Sequence, residues 1–340
     1  MTADIVASAP GKLFLLGEYA VLDGCPAVVA AVDRRVEVRV RIVAASRVRI
    51  VAPGFADPLE FPSGAPPATH AAHGFTLAAY RAVGARLPRL AGLGMDIEIV
   101  SRLAQPDGTK TGLGSSAAVT VAVVAALFAA VEGDGADARR AAVFGAAFAA
   151  HRAAQGGLGS GADVAAAVYG GVLRCQPRVE GLPGATPLGL PTGTALLAAW
   201  SGETAATPGL VQRYLGMRNG ARAVRATFVD ASRRCVERFV DGLNRGALLL
   251  TELDTNGAAL EQLGTALDVP LVTARLRELI AIARAHGAGA KISGAGGGDC
   301  GIALTTNPTA ATRIRAQWRT AGLVPLDLQI SAEGVTVGRR

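Results

Sequence analysis

Between Gly108 and Val131 the chain runs from a glycine- and serine-rich loop straight into a long uncharged segment, G-T-K-T-G-L-G-S-S-A-A-V-T-V-A-V-V-A-A-L-F-A-A-V. No other stretch restricts the fold as tightly. Glycines let a backbone approach an anion closely, and a helix start offers free N–H groups where the dipole favours negative charge. Lys110 adds a cation just ahead of the loop. The combination reads as a phosphate cradle built from Lys110, Gly112, Leu113, Gly114, Ser115, Ser116 and Ala117. Plainer readings compete with it. Ser115 or Ser116 can equally be a helix N-cap. The uncharged run approaches the ~20 apolar residues that span a bilayer. It is rich in Ala, Gly, Ser and Thr, however, with Lys110 and Glu132 at its ends, so it reads as a core helix. Gly112 to Ala117 also match the G-x-G-x-x-A dinucleotide fingerprint, which requires a strand directly before it. Here the polar loop Ser101 to Lys110 intervenes.

A chain of 340 residues holds one large domain or two of ordinary size. Hydrophobic residues make up 50% and charged ones 18%, enough for a sizeable core and against disorder. With aromatics at only 4%, Ala, Val and Leu must do most of the packing. The net charge of +7 fits an anionic substrate and equally an Arg-rich composition. No Lys/Arg run is interleaved with aromatics, which argues against nucleic acid. Cys25, Cys175, Cys235 and Cys300 are scattered with no C-x-x-C pair, the pattern of reduced thiols in a cytoplasm. The first residues lack a basic region followed by an apolar stretch, so no signal peptide is expected. His70 and His73 stand three apart without further ligands nearby and read as ordinary polar residues. These features fit a soluble cytoplasmic protein.

Periodicity predicts strands over 5–8 and 13–16, flanking a Pro10-Gly11-Lys12 break, and over 36–42 and 47–51, where apolar and polar residues alternate. A polar, Pro-rich insertion follows over 53–67, then a helix over 69–83 and a strand over 95–100. After the cradle helix come a helix over 136–154, a Gly-rich turn over 155–161, and a short apolar segment, 164–169, opened by Asp163. Gly and Pro are dense over 180–194, which puts the domain boundary there and divides the chain into 1–187 and 188–340. The second half begins with a strand over 195–200, continues through about four helices over 208–286, and adds strands at 291–293, 301–304 and 326–330.

Five segments carry residues suited to chemistry. In P-G-K-L-F-L-L-G-E-Y, Lys12 and Glu18 stand on either side of an apolar strand with Gly at both ends, an unusual setting for plain surface charges. The cradle is the second. The third runs from Gln155 to Asp163, where Asp163 is either a helix cap or a catalytic carboxylate. The fourth is W-S-G-E-T-A-A-T at Trp200 to Thr207, which also reads as turn chemistry with Thr207 capping a helix that Pro208 starts. The fifth is K-I-S-G-A-G-G-G-D-C at Lys291 to Cys300. Four glycines in five positions are hard to account for as a hairpin turn, because each costs backbone entropy.

P-G-K-L-F-L-L-G-E-Y, G-L-G-S-S-A-A and G-A-G-G-G-D, in that order and spacing, resemble the three motifs of the GHMP kinases. The likeness spans nearly the whole chain. It implies an α+β, two-domain fold, with an N-terminal domain like ribosomal protein S5 domain 2 and a ferredoxin-like C-terminal domain. ATP and acceptor would meet in the cleft between them. It further implies that Gly112 to Ala117 wrap the ATP phosphates with Ser115 or Ser116 near Mg²⁺, and that Lys12 and Asp163 form the catalytic pair. Gly294, Ala295, Gly296 and Gly297 would shape the acceptor side. Glu18, Tyr19, Lys110, Ser160, Ser201 and Lys291 are candidates for the substrate. Family members that phosphorylate mevalonate place a Glu ahead of the catalytic Asp as a magnesium ligand. This chain reads His151-Arg152-Ala153-Ala154-Gln155 there, with no carboxylate.

Three details resemble the members whose acceptor is itself a phosphate, 5-phosphomevalonate. They are Lys110 ahead of the cradle, the W-S-G run at Trp200, and Asp299-Cys300 closing the last glycine loop. The resemblance thus implies an ATP- and Mg²⁺-dependent small-molecule kinase, a monomer or homodimer, with no nucleic-acid or membrane partner. Kinases of alcohol acceptors are the near alternative. A dinucleotide-dependent oxidoreductase built on G-L-G-S-S-A and a non-catalytic metabolite sensor are the distant ones.

Overall fold

The computed structural model describes residues 4–53, 56–105, 108–133, 139–205, 207–217 and 222–340. Strand β1 (Ile5–Leu16) pairs antiparallel with the long β2 (Ala27–Val43), and β3 (Arg47–Ala52) and β4 (Ala56–Pro62) extend the sheet. Helix α1 (Gly74–Gly84) leads to β5 (Gly94–Ser101), which lies between β2 and β3. Helices α2 (Ser115–Glu132), α3 (Arg140–Ala154) and α4 (Ala162–Tyr169) follow: α2 and α4 pack on β1 and β2, and α3 packs on both of these helices. Strands β6 (Val172–Gln176) and β7 (Gly184–Leu188) complete this half, β6 pairing with β2.

Sequence dictates these faces directly. In β2, Val36, Val38 and Val40 are buried while the alternate charged positions face outward. Its first part, Ala27 to Val32, is buried throughout, as a continuous apolar run on a twice-covered strand should be. Helix α2 packs on β1, β2, α1 and α3, and Val121, Val124 and Leu127 are wholly buried. It has the length and composition to cross a membrane, yet most of it lies inside the protein.

The second half carries β8 (Ala195–Trp200), helices α5 (Thr207–Leu215), α6 (Arg222–Asn244), α7 (Leu250–Ala266) and α8 (Ala274–Ala285), then β9 (Gly289–Ser293), β10 (Cys300–Thr305), α9 (Pro308–Thr320) and β11 (Val324–Leu326). Its four strands are ordered β11-β8-β10-β9, all antiparallel. Counted within this half that is 4-1-3-2 with a helix layer between strands, the ferredoxin-like arrangement. The last strand, β12 (Thr336–Arg339), leaves this sheet and pairs with β1.

Several expectations change. The Pro10-Gly11-Lys12 break is a register shift inside one continuous strand, because an irregular pairing accommodates the N–H that Pro lacks. The polar insertion contains β4, which buries Phe61, and the Gly/Pro-dense stretch contains β7. The predicted strand over 326–330 shrinks to β11 and a single bridge between Val32 and Ile330. The helix expected from 136 is described from Arg140, and residues 134–138 lie outside the described residues. All four cysteines are free and buried. His73 is buried, and its Nε2 lies 3.0 Å from the Asp57 carbonyl, which ties β4 to the start of α1.

Candidate active site

The irregularity after Pro10 has a local purpose. It leaves Lys12 N–H to donate to Leu113 O at 2.8 Å, which fastens β1 to the cradle loop. The Lys12 side chain is nearly buried and lies along Gly114, where a Cβ would fall 2.9 Å from Lys12 Cγ and Cε. Its ammonium is 3.5 Å from Gly112 O and 5.1 Å from the Phe14 ring centroid. No carboxylate pairs with it among the described residues. Gly114, at φ 77°, is the N-cap of α2 and supplies no side-chain cap. Ser115 and Ser116 are therefore first-turn residues rather than caps, and no side chain closes the helix start against an anion.

Ser116 Oγ lies 3.1 Å from Nε2 of His151, the same nitrogen that lies 3.6 Å from Asp163 Oδ2. The imidazole is 2% exposed and stacks on Phe75 at 5.3 Å, so two helices and an aromatic ring fix its plane. Asp163 sits in the first turn of α4, where its Oδ1 accepts from Val164 N–H at 2.9 Å.

Beside this row opens a cavity of about 170 Å³, lined by Lys12, Phe14, Glu18, Tyr19, Ser160, Asp163, Gly294 and Ala295 among others. Tyr19, itself at φ 60°, donates its hydroxyl to Ala295 O at 2.5 Å and so clamps the last glycine loop over the cavity. Burial pushes the Tyr19 phenol well above its ordinary value, which keeps it a donor. A neighbouring cavity of about 470 Å³ shares Val21, Leu22, Gly159 and Ser160 with the first and brings in Arg152 and Arg178.

The glycine loop is held from behind. Asp299 N–H donates to Glu203 O, Ser201 N–H to Asp299 O, and Gly297 N–H to Leu271 O. Asp299 adopts φ 56°, rests its carboxylate against Gly112, and accepts from Ala205 N–H at 3.2 Å. Burial raises its pKa; the Ala205 N–H and the charges of Lys12 and Lys110 oppose that. The next residue, Cys300, donates its Sγ–H to Thr111 O.

Two family descriptions match this chain: the GHMP kinases N terminal domain over residues 75–171 and the GHMP kinases C terminal over residues 244–323. A phosphomevalonate kinase of Streptomyces sp. (strain CL190) is 33% identical, with 97% of this chain and 98% of that protein aligned. The chain belongs to the GHMP kinases. A mevalonate kinase of Pyrococcus horikoshii is 28% identical over 99% of this chain and 98% of its own. Among solved structures, Streptococcus pneumoniae phosphomevalonate kinase in complex with phosphomevalonate and AMPPNP superposes with a TM-score of 0.78. It shares 23% identity, over 96% of this chain and 99% of that one.

Most sequence-predicted residues of this GHMP kinase converge. Lys12, Asp163, Glu18, Tyr19, Ser160, Gly294 and Ala295 share one cavity wall, and Gly112 to Ser116 adjoin it through Lys12. Lys110 is exposed at the rim of the cradle, bridged to Ala104. Lys291 and Ser201 stand apart. Lys291 is fully buried, its ammonium held by Glu18 and by Ile292 O. Burial lowers its pKa, and Glu18 pulls the other way. Ser201 Oγ accepts from Glu203 N–H within its own loop. Gly296 and Gly297 shape the loop from outside the cavity, Gly296 packing against Leu271 O. Thr207, read as a cap, has a side chain outside the described residues. The dinucleotide reading falls, because β5 ends at Ser101 and residues 102–114 separate it from α2. Sequence reasoning passed over His151 and Arg152 as functional groups. Their signal was a polar pair ending a helix just before a Gly-rich turn.

Proposed function

We propose that this GHMP kinase transfers the γ-phosphoryl group of ATP to the phosphate of (R)-5-phosphomevalonate. The products are (R)-5-diphosphomevalonate and ADP, in a step of the mevalonate pathway of isoprenoid biosynthesis. The observation that carries the chemistry is Lys12. Its ammonium lies at the cradle, 3.5 Å from Gly112 O, while its side chain also lines the acceptor cavity. One cation shared by two sites suits the passage of an anionic group from one to the other. The acceptor rests on likeness to the Streptomyces enzyme across both whole chains. Mevalonate is the second candidate, because mevalonate kinases also align end to end with this chain.

In this reading Gly112 to Ala117 hold the phosphates of ATP against the first turn of α2, with Lys110 at the rim. Ser116 is the proposed ligand of Mg²⁺. The Ser116 hydroxyl, bonded to His151, is an oxygen donor of the kind a hard cation takes. Among the described residues no three of His, Cys, Asp and Glu gather as ligands, so nucleotide oxygens would complete the shell. Bound there, the ion would offset phosphate charge. Arg152 and Arg178 supply positive charge in the neighbouring cavity. We propose a cytoplasmic location and a monomer or homodimer.

A phosphate monoester has a second pKa of about 6, so its attacking oxygen is already largely ionised near neutral pH. Asp163 then has no proton to remove, and its role is to orient Lys12. The test is ADP release with ATP and, in parallel, phosphomevalonate, mevalonate, homoserine or galactose. Turnover with phosphomevalonate far above the others is the expected result. Preference for mevalonate would replace the acceptor and restore a general base.

A further inference from the structure

His151 has no part in the scheme above, yet its Nε2 meets both Ser116 and Asp163. A ring nitrogen carries either a proton or a lone pair, so it can serve only one of these neighbours at a time. The distances favour Ser116: 3.1 Å is a hydrogen bond, whereas 3.6 Å to Asp163 Oδ2 is too long for one. Stacking on Phe75 and near-complete burial keep the ring from turning away. A hydroxyl whose oxygen binds a cation directs its lone pairs at the ion, so its proton must go to an acceptor on the other side. Nε2 is that acceptor. With a lone pair at Nε2, the ring offers Asp163 no donor there, and Asp163 lines the cavity together with Lys12.

We infer that His151 is a positioning residue: it accepts the Ser116 hydroxyl proton, turns that oxygen toward the cation, and leaves Asp163 to Lys12. This rests on the kinase reading and on Ser116 as the cation ligand, but not on the identity of the acceptor.

The test uses His151→Phe, which keeps the stack and removes the acceptor, and His151→Gln, whose amide oxygen can reach the same place. AMPPNP affinity is measured by calorimetry with and without Mg²⁺, alongside thermal melts and kcat and KM for both substrates. For His151→Phe the gain in AMPPNP affinity on adding Mg²⁺ should shrink by about 10–100-fold, the usual cost of losing a partner that orients a metal ligand. Metal-free affinity and melting should hold. His151→Gln should restore most of the loss, and His151→Phe should add little to Ser116→Ala. An unchanged Mg²⁺ gain, an equal loss with and without Mg²⁺, or full additivity with Ser116→Ala overturns the inference. The nucleotide measurements contain no acceptor. If phosphomevalonate fails as substrate while the Mg²⁺ gain shrinks as expected, the acceptor assignment falls and the role of His151 stands.

Discussion

Two glycine-rich loops build this site, and they use glycine for opposite ends. In the cradle, Gly114 makes room for a side chain: a Cβ there would strike the Lys12 methylenes. In the last loop, Gly296 makes room for backbone: a Cβ there would stand 2.4 Å from Leu271 O. Both residues lie at positive φ. The cradle also leaves its helix start uncapped, whereas the last loop is tied at Asp299 and Gly297 to segments 201–205 and 271. One loop leaves an open helix start and the other is fixed as a wall. Equal substitutions should therefore fail differently.

The largest effect is expected at the cradle's cation. Lys12→Ala should lower kcat about a hundredfold to a thousandfold, the scale for removing one preorganised charge from a transferring group. Asp163→Asn should cost less. Wild-type activity should rise with pH through about 6, because the acceptor phosphate loses its second proton there. Steady-state kinetics on both variants, with melts as a check, decide the order. If Asp163→Asn is dead and Lys12→Ala mild, a general base is at work and the cradle is not where the reaction is won.

Next come the glycines themselves. Gly296→Val should both unsettle the fold and cripple turnover, since a β-branched residue at positive φ costs about 1–3 kcal/mol before any clash is counted. Gly114→Ala meets the same backbone penalty but pushes on a flexible side chain, so its loss should fall on kcat beyond what its melting temperature reports. Comparing the two variants by melts and kcat tests the division between wall and opening. Equal loss in both measures for both variants would erase it.

The smallest effect concerns Asp299, where the two loops touch. Its pKa is raised by burial, so folding binds its proton more tightly than the unfolded chain does. Its contribution to stability is therefore full below the ordinary carboxylate range and is lost as pH rises through the raised value. Asp299→Asn should remove that loss and give a slightly higher melting temperature at neutral pH than at acid pH, relative to wild type. A lower melting temperature at every pH would mean that its bond to Ala205 outweighs the cost of burying the charge.

How far the sequence foretold this depended on the distance between partners. Lys12, the cradle and the last loop were legible because each motif carries its own local signal, and the alternation of Val36, Val38 and Val40 gave β2 its faces. Partners far apart in the chain were not. Lys291 reads as a free cation until Glu18, 273 positions away, is folded against it. His151 reads as a helix end until Ser116, 35 positions away, is set opposite. The strand over 326–330 failed for a related reason: alternation marks a two-faced segment but not whether a neighbour accepts its ladder. Helix α9 was local and still passed over, although Asn307 caps it through Thr309 and Ala310 N–H and Pro308 begins it.

The pairing of β12 with β1 bears on how the molecule is made. Ile5 lies opposite Arg339 and Ser8 opposite Thr336, on the strand that also carries Lys12. A ribosome-bound chain that has reached Leu188 holds β1, β2 and the cradle helix, but the outer edge of Ile5–Ser8 has no strand partner until residues 336–339 emerge. For that interval the first residues of the strand bearing Lys12 present an open ladder to any other nascent chain. Strand β1 is made before the other described strands and is among the last elements to be sealed.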